Sequence, residues 1–335
     1  MSTMTLSEAA QADVRGEQSL EVLVTGKRSE AADICSIEFR LPDGGALPEF
    51  SAGAHIDVHI DGLVRQYSLC NHPRERERYV IGVLRDPNSK GGSVALHEKL
   101  REGDRVRVGM PRNLFPLAPA GRTILIAGGI GVTPILCMAE QLADQGADFE
   151  LHYCARSRTA AAFVERIAQS RFASRAHCYF DDEPQALRFV ADEVLASPTH
   201  DTHVYVCGPT GFMDHVLDAA ARKGWADDYV HREYFKAPET AADEAASAEF
   251  EVEIASSGKV FTIPADRSVV SVLADNGVYI ATGCDQGVCG TCLTGVVEGV
   301  PEHRDALMSA AERAANNQFT PCCSRSKSRR LVLDL

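Results

Sequence analysis

The sequence predicts a multidomain chain: an antiparallel β-barrel, then an α/β parallel-sheet unit, then a small domain mixing strands with one helix. Three observations carry this. Short β-rich runs separated by Gly, Pro and Asp clusters recur over residues 20–117, and many short strands with turn signals between them suggest a closed barrel or sandwich. From about Arg122 strands alternate with helices, the pattern of a parallel sheet. After the Ala-, Glu- and Asp-rich residues 237–248, a third segment carries a glycine-rich loop with three closely spaced cysteines.

Length and composition suit this division. At 335 residues the chain is long for one domain. No run approaches the roughly 18–20 apolar residues of a membrane helix. Residues 1–16 lack the basic start and apolar core of a secretory signal, and residues 1–18 read as a disordered tail. The eleven cysteines follow no small-scaffold disulfide pattern, and Cys35, Cys137 and Cys154 sit singly in apolar segments. That fits a reducing, cytoplasmic setting. A net charge of −13 disfavours nucleic acid as a partner. A monomer with no membrane attachment is the default expectation.

In order, the expected barrel strands are residues 20–24, 34–39, 55–60 and 79–84, with one helix near 93–100 opened by Gly91 and Gly92. This first domain spans residues 19–118. The second spans residues 119–236. Thr123-Ile124-Leu125-Ile126-Ala127 reads as a buried strand, and a tight turn from Gly128 to Pro134 leads into a helix at 135–145. Strands at 149–154, 177–180 and 203–207 and a helix at 160–170 continue the alternation. Residues 237–248 lack large apolar side chains and read as a linker. The last domain, 249–335, opens with a hairpin around Ser256-Ser257-Gly258-Lys259. Ser268 caps a helix at 269–276 that stops at Gly277.

The cysteine loop carries the most specific chemistry. Gly283-Cys284-Asp285-Gln286-Gly287-Val288-Cys289-Gly290-Thr291-Cys292 has the spacing C-x4-C-x2-C, the plant-type arrangement for a [2Fe–2S] cluster held by four thiolates. Gly283, Gly287 and Gly290 let the backbone turn its N–H groups inward. Zinc would need a second cysteine pair, here the adjacent Cys322 and Cys323. Neighbouring side chains of an extended segment point opposite ways, so both are poor joint ligands. Buried structural thiols would not need so many glycines. Cys322, after Pro321, is the expected fourth ligand, and Cys323 a packed neighbour.

Two further constellations suit nucleotides. Arg65-Gln66-Tyr67-Ser68 combines an arginine for phosphate, an aromatic ring for stacking and a hydroxyl for a polar edge, which together can grip a flavin. An ordinary strand with one exposed arginine is the bland alternative. Gly91-Gly92-Ser93 opens a helix, and free N–H groups at a helix start attract anions. Gly92 and Ser93 are candidate phosphate contacts, or a plain helix cap. The turn Gly128-Gly129-Ile130-Gly131-Val132-Thr133-Pro134 differs from G-x-G-x-x-G. Its Gly129, Gly131 and Thr133 can still approach a pyrophosphate. Cys207-Gly208-Pro209 ends a strand at the same expected edge, where open α/β sheets bind ligands. Arg156-Ser157-Arg158 follows the second strand, where arginine can accept the 2′-phosphate of NADP, so Arg156 leaves NADPH open. Glu233-Tyr234-Phe235 ends the domain. Phe235 can cover a flavin face or close the core, and Cys207 can approach the nicotinamide or be core.

The order of these motifs over residues 19–335 resembles the phthalate dioxygenase reductase family of oxygenase reductases, to which vanillate demethylase reductases belong. Residues Gly299-Val300-Pro301-Glu302-His303-Arg304-Asp305 also look like the segment after the cluster loop in that family. The resemblance implies an FMN-binding barrel, an NAD-binding α/β domain and a C-terminal β-grasp ferredoxin with a [2Fe–2S] cluster. It implies NADH as donor and a Rieske-type terminal oxygenase as partner, commonly in aromatic catabolism. Carried over, Arg65, Tyr67 and Ser68 hold flavin, and Gly92 and Ser93 its phosphate. Gly131 and Thr133 face the nicotinamide nucleotide, with Cys207 near the hydride path. Cys284, Cys289, Cys292 and Cys322 bind iron. Rival readings are a diaphorase feeding another acceptor and a non-enzymatic redox sensor.

Overall fold

The computed structural model describes residues 10–12, 18–86, 91–183, 188–236 and 248–335. By internal packing the chain divides into two compact units, Met1–Glu233 and Tyr234–Leu335.

The first unit starts with strands β1 (Ala10–Ala12), β2 (Gln18–Ala31), β3 (Ile34–Arg40), β4 (His55–Ile60), β5 (Leu63–Ser68), β6 (Tyr79–Leu84) and β7 (Arg105–Gly109). They pair antiparallel in the order β5-β4-β7-β2-β3-β6, with β1 on β2. A bridge between Leu69 and Ile81 joins the two ends of that order. The sheet thereby closes into a barrel without open edges. Alternate residues such as Val22, Val24, Ile37, Phe39, Ile56 and Val58 fill its interior. Helix α1 (Gly92–Glu98) adds Leu96 to the same core. Residues 10–12 were expected within a disordered tail and instead form β1. The rest of that tail call lies outside the described residues.

A parallel sheet follows: β8 (Arg122–Gly128), β9 (Asp148–Ala155), β10 (Ala176–Phe180), β11 (Thr202–Cys207) and β12 (Val230–Glu233). Its order is β10-β9-β8-β11-β12. Every neighbouring pair is parallel. The connecting helices include α2 (Val132–Gln145), α3 (Val164–Ala168), α4 (Ala191–Val194) and α5 (Thr210–Arg222). Pro134 falls in the first turn of α2, where its missing N–H costs no intrahelical bond. The expected helix at 160–170 shrinks to α3, because Phe163 adopts a left-handed conformation (φ 61°) at its start. Strand order reverses between β8 and β11, so the connections after these two strands diverge and leave a crevice at their carboxyl ends.

Barrel and parallel sheet share one hydrophobic core. Ile34, Ala52, Val80 and Phe115 cluster with residues such as Leu136, Met138 and Phe163. Arg166 reinforces the junction: it donates to the Cys70 carbonyl at 2.9 Å and pairs with Glu140 at 2.7 Å. The two expected domains therefore pack as one unit.

The second unit comprises β13 (Phe250–Ile254), β14 (Val260–Ile263), β15 (Thr294–Glu298), β16 (Pro301–Glu302), β17 (Gln318–Phe319), β18 (Arg325–Ser326) and β19 (Arg330–Leu333), with helices α6 (Val269–Asp275) and α7 (Ala310–Ala315). Its main sheet runs β14-β13-β19-β15-β17, and β16 pairs with β18. The β13–β19 pair is parallel and the others antiparallel. The Ser268 hydroxyl accepts the Ser271 N–H and caps α6, which lays Val269, Val272 and Leu273 against Val252, Ile263 and Leu331. A mixed sheet wrapped on one helix is the expected β-grasp arrangement. Of the linker call, residues 237–247 lie outside the described residues. No helix among the described residues is long and apolar enough to cross a membrane.

Arg166→Ala removes a cation shared by Glu140 and a barrel carbonyl. It is expected to destabilise the first unit by about 2 kcal/mol, and the double variant Arg166→Ala/Glu140→Gln by less, as read from denaturant melts.

Candidate functional site

On the barrel, strand β5 carries the expected flavin residues. Tyr67 packs against the barrel core, and burial raises its phenol above the ordinary value. Gln66 lies opposite Asp57. Arg65 runs beside the start of α1: a β-carbon on Gly92 would fall 2.6 Å from Arg65 Cγ and 3.1 Å from its Nε. Gly92 therefore leaves room for the arginine to lie against the backbone at the helix start. Ser93, largely buried, accepts the Asp86 N–H at 3.2 Å. Arginine, glycine and hydroxyl converge as a phosphate site would require.

The second focus is the switch point. Gly129 has φ +52°, a conformation that resists side chains. A β-carbon on Gly131 would overlap the Cys207 carbonyl, and one on Gly208 would sit 3.0 Å from Gly128 Cα. The two turns thus meet backbone to backbone. Thr133 departs from its expected role. It is buried, its hydroxyl donates to the Ile130 carbonyl at 3.1 Å, and its methyl faces Gly82 of β6. It serves the junction with the barrel rather than the crevice.

A buried polar cluster links barrel and sheet. Cys207 and Glu233 are register partners on β11 and β12, and Ser68 donates to Glu233 Oε2 at 3.5 Å. Burial lifts the Glu233 carboxyl to about 8, partly opposed by the Ser68 bond. Burial, then the nearby Glu233, holds the fully buried Cys207 thiol well above its usual range. Both groups are protonated at neutral pH. Cys207 is therefore a neutral thiol, not a nucleophile. Phe235 belongs to the second unit and is 43% exposed.

Beyond the turns opens a cleft of about 950 Å³, with Gly129, Arg156, Asp181, Pro209 and Phe212 on its walls. That volume suits a dinucleotide-sized ligand. Phe189 also lines it, edge-on to Tyr179 at 5.7 Å and tilted on Phe212 at 6.0 Å. Sequence reasoning missed Asp181, Phe189 and Phe212. Asp181 and Phe189 come from the connection between β10 and α4 and Phe212 from the first turn of α5, and none carries a local motif. Arg158 turns aside: its guanidinium lies 4.5 Å over the Phe180 ring and bonds Glu183 at 3.0 Å.

In the second unit, Gly287 and Gly290 take φ +71° and +67°. Gly283 does not, and Asp285 takes a left-handed φ of 55° instead. Gln286 and Val288 donate backbone N–H groups to Cys284 Sγ at 3.3 and 3.5 Å. The thiols form two neighbouring pairs, Cys284 with Cys289 and Cys322 with Cys292. Residues 321–323 form a turn rather than the expected extended segment, so Cys323 does not point away but bonds Cys322. Hydrogen bonding to Cys289 raises Cys284, and bonding to Cys292 helps push Cys322 up to about 12. A cation would relieve both. Among the described residues no three ligating side chains converge on one point for a single ion. Two thiol pairs with inward N–H groups instead fit a two-iron cluster.

A barrel joined to a parallel sheet with a nucleotide cleft, and a β-grasp unit with a cluster loop, define an iron–sulfur oxidoreductase for electron transfer. Comparison with known proteins agrees. Residues 252–327 match the 2Fe-2S iron-sulfur cluster binding domain family, and residues 111–230 the dimethylamine monooxygenase subunit DmmA-like N-terminal domain. The chain is 56% identical over 319 residues to vanillate O-demethylase oxidoreductase of Pseudomonas putida, covering 94% of this chain and all of that one. It is 40% identical to phthalate dioxygenase reductase of Burkholderia cepacia, covering 94% and 97%. A solved structure of phthalate dioxygenase reductase, described as modular for electron transfer from pyridine nucleotides to [2Fe-2S], matches with TM-score 0.70 at 40% identity, covering 95% and 98%. The chain belongs to this family of oxygenase reductases.

Cys322→Ala is expected to lose most iron and inorganic sulfide, whereas Cys323→Ala retains both; iron and sulfide analysis with visible absorption decides the fourth ligand. Glu233 binds its proton more tightly folded than unfolded. Its contribution to stability is therefore fully present below the ordinary carboxylate range and is lost as pH rises to about 8. Thermal melts across that window should show Glu233→Gln flattening the decline, by at most about 1.4 kcal/mol per pH unit.

Proposed function

We propose that the chain takes electrons from NADH through FMN to a [2Fe–2S] cluster and passes them to a Rieske-type terminal oxygenase, acting as a monomer. The observation that carries this reading is the presence, in one chain, of the glycine-walled cleft at the switch point and the two thiol pairs of the cluster loop. Nicotinamide gives up electrons in twos and the cluster takes them singly, so a bound flavin supplies the exchange between the two.

The residues divide the work as follows. Arg65 and the backbone at Gly92 hold a terminal phosphate, which suits FMN. Gln66, Tyr67 and Ser68 orient the ring system. Gly129, Gly131, Gly208 and Pro209 let the nucleotide lie close on the backbone. Cys207 is kept neutral by burial, and so is Glu233 at neutral pH. Neither adds negative charge where electrons arrive. Hydride transfer needs no general base, so positioning carries the catalysis. Arg158 is held on Phe180 and Glu183, and Asp181 lines the cleft. Arg156 lines the cleft as well, so local charge leaves NADPH open, and NADH as donor follows from likeness to the oxygenase reductases. Cys284, Cys289, Cys292 and Cys322 hold the irons. The relatives are named for oxygenase systems acting on vanillate and phthalate, which supports an aromatic acid as substrate of the partner oxygenase.

An anaerobic titration with NADH, followed by visible absorption, tests the route. Flavin and cluster bands are expected to bleach together, NADPH to act much more weakly, and the released flavin to be FMN. A flavin that bleaches while the cluster band persists would sink the proposed route.

A further inference from the structure

The sequence reading left Cys323 without a task, yet its thiol sits at a crowded point of the cluster loop. A β-carbon on Gly287 would fall 2.5 Å from Cys323 Sγ and 2.9 Å from Cα and Cβ of Asp305. Gly287 is therefore gripped on its α-carbon by a thiol and a buried aspartate. Its carbonyl accepts the Ala306 N–H at 3.1 Å, and its own N–H faces the Cys322 sulfur, which the Cys323 thiol also bonds. All of these contacts meet at one residue of the loop.

The thiol is itself anchored. Thr320 Oγ1 lies 3.3 Å from Cys323 Sγ and 2.8 Å from Ser324 Oγ. Thr320 and Ser324 are buried. Ser324 Oγ accepts the Arg304 N–H at 3.1 Å, so the same turn that presents Cys322 is tied to the segment carrying Asp305. Asp305 is fixed in turn. Its Oδ1 accepts the N–H groups of Leu307 and Met308 at 3.0 and 2.7 Å, and its carbonyl accepts from Arg313. The thiol and the aspartate form a rigid seat.

We propose that Cys323 is a positioning residue for the iron–sulfur cluster: its Thr320-anchored thiol seats Gly287 so that the Gly287 N–H reaches the sulfur of Cys322, which makes cluster reduction easier. The proposal rests on the reading of the four cysteines as cluster ligands. Its physical basis is charge. Reduction adds an electron that spreads onto the sulfurs, and an N–H donor aimed at a ligand sulfur stabilises that charge; hydrogen bonds to the sulfurs are among the terms that set a cluster's potential. Removing the thiol takes away its own bond to Cys322, leaves a gap behind Gly287 and frees the Gly287 N–H to turn away.

The test uses full-length holoprotein. Cys323→Ala is expected to keep its iron and sulfide but to reduce about tenfold less favourably, ~59 mV lower for one electron, with altered g-values in the electron paramagnetic resonance spectrum of the reduced cluster. Thr320→Val is expected to shift the potential in the same direction, and Cys323→Ser to restore most of it. If Cys323→Ala assembles no cluster, the other two variants decide by the same directions. A fully loaded variant with unchanged or higher potential overturns the proposal. Wild-type protein without iron and labile sulfide overturns the ligand reading, and the proposal with it.

Discussion

A single steric constraint organises the first unit: Gly131 has no β-carbon where the Cys207 carbonyl passes. The parallel sheet reverses its order between β8 and β11, so the chain leaves these strands in opposite directions. The crevice between the departing turns is usable only if both turns stay thin. Gly128 and Gly208 extend the same economy, and Phe212 lies across both. A side chain at Gly131 would push β11 away from the start of α2. Cys207 and the register that brings Glu233 beside it would move too.

That register matters because it buries two titratable groups together. Glu233 and Cys207 would repel each other as anions, and burial keeps both protonated instead. Ser68 reaches them from the barrel, so the electrostatic state of this spot depends on the barrel and the sheet sharing one core. Thr133 and Arg166 serve that junction. One packs its methyl towards Gly82, and the other bonds Cys70 and Glu140.

The cluster loop solves the opposite problem. It must hold sulfurs apart in pairs and aim N–H groups at them, which a regular strand or helix cannot do. Glycine at 287 and 290 supplies the turn, and Asp285 accepts a left-handed conformation that costs less for aspartate than for most residues. The segment around Asp305 and the turn from Thr320 to Ser324 then clamp the loop from outside. The glycines make it bend, and the neighbours decide in which bent form it stays.

By itself, the sequence determined what depends on local chemistry. The cysteine spacing named the cluster, the alternating runs named barrel and parallel sheet, and Ser268 and Gly258 marked a cap and a turn. Arg65 and Gly92 were legible as a pair of candidates, although nothing local showed that they touch. Tertiary structure alone decided which neighbours each candidate meets. Thr133 turned to the barrel because Gly82 leaves space there. Arg158, in the turn after β9, was withdrawn by Phe180 at the end of the neighbouring strand β10 and by Glu183 beyond it. Asp181 and Phe189 entered the cleft from the connection after β10 and Phe212 from the start of α5, and Cys323 met Gly287 across more than thirty residues. Contacts of this kind come from strand order and packing, which no short window of sequence encodes.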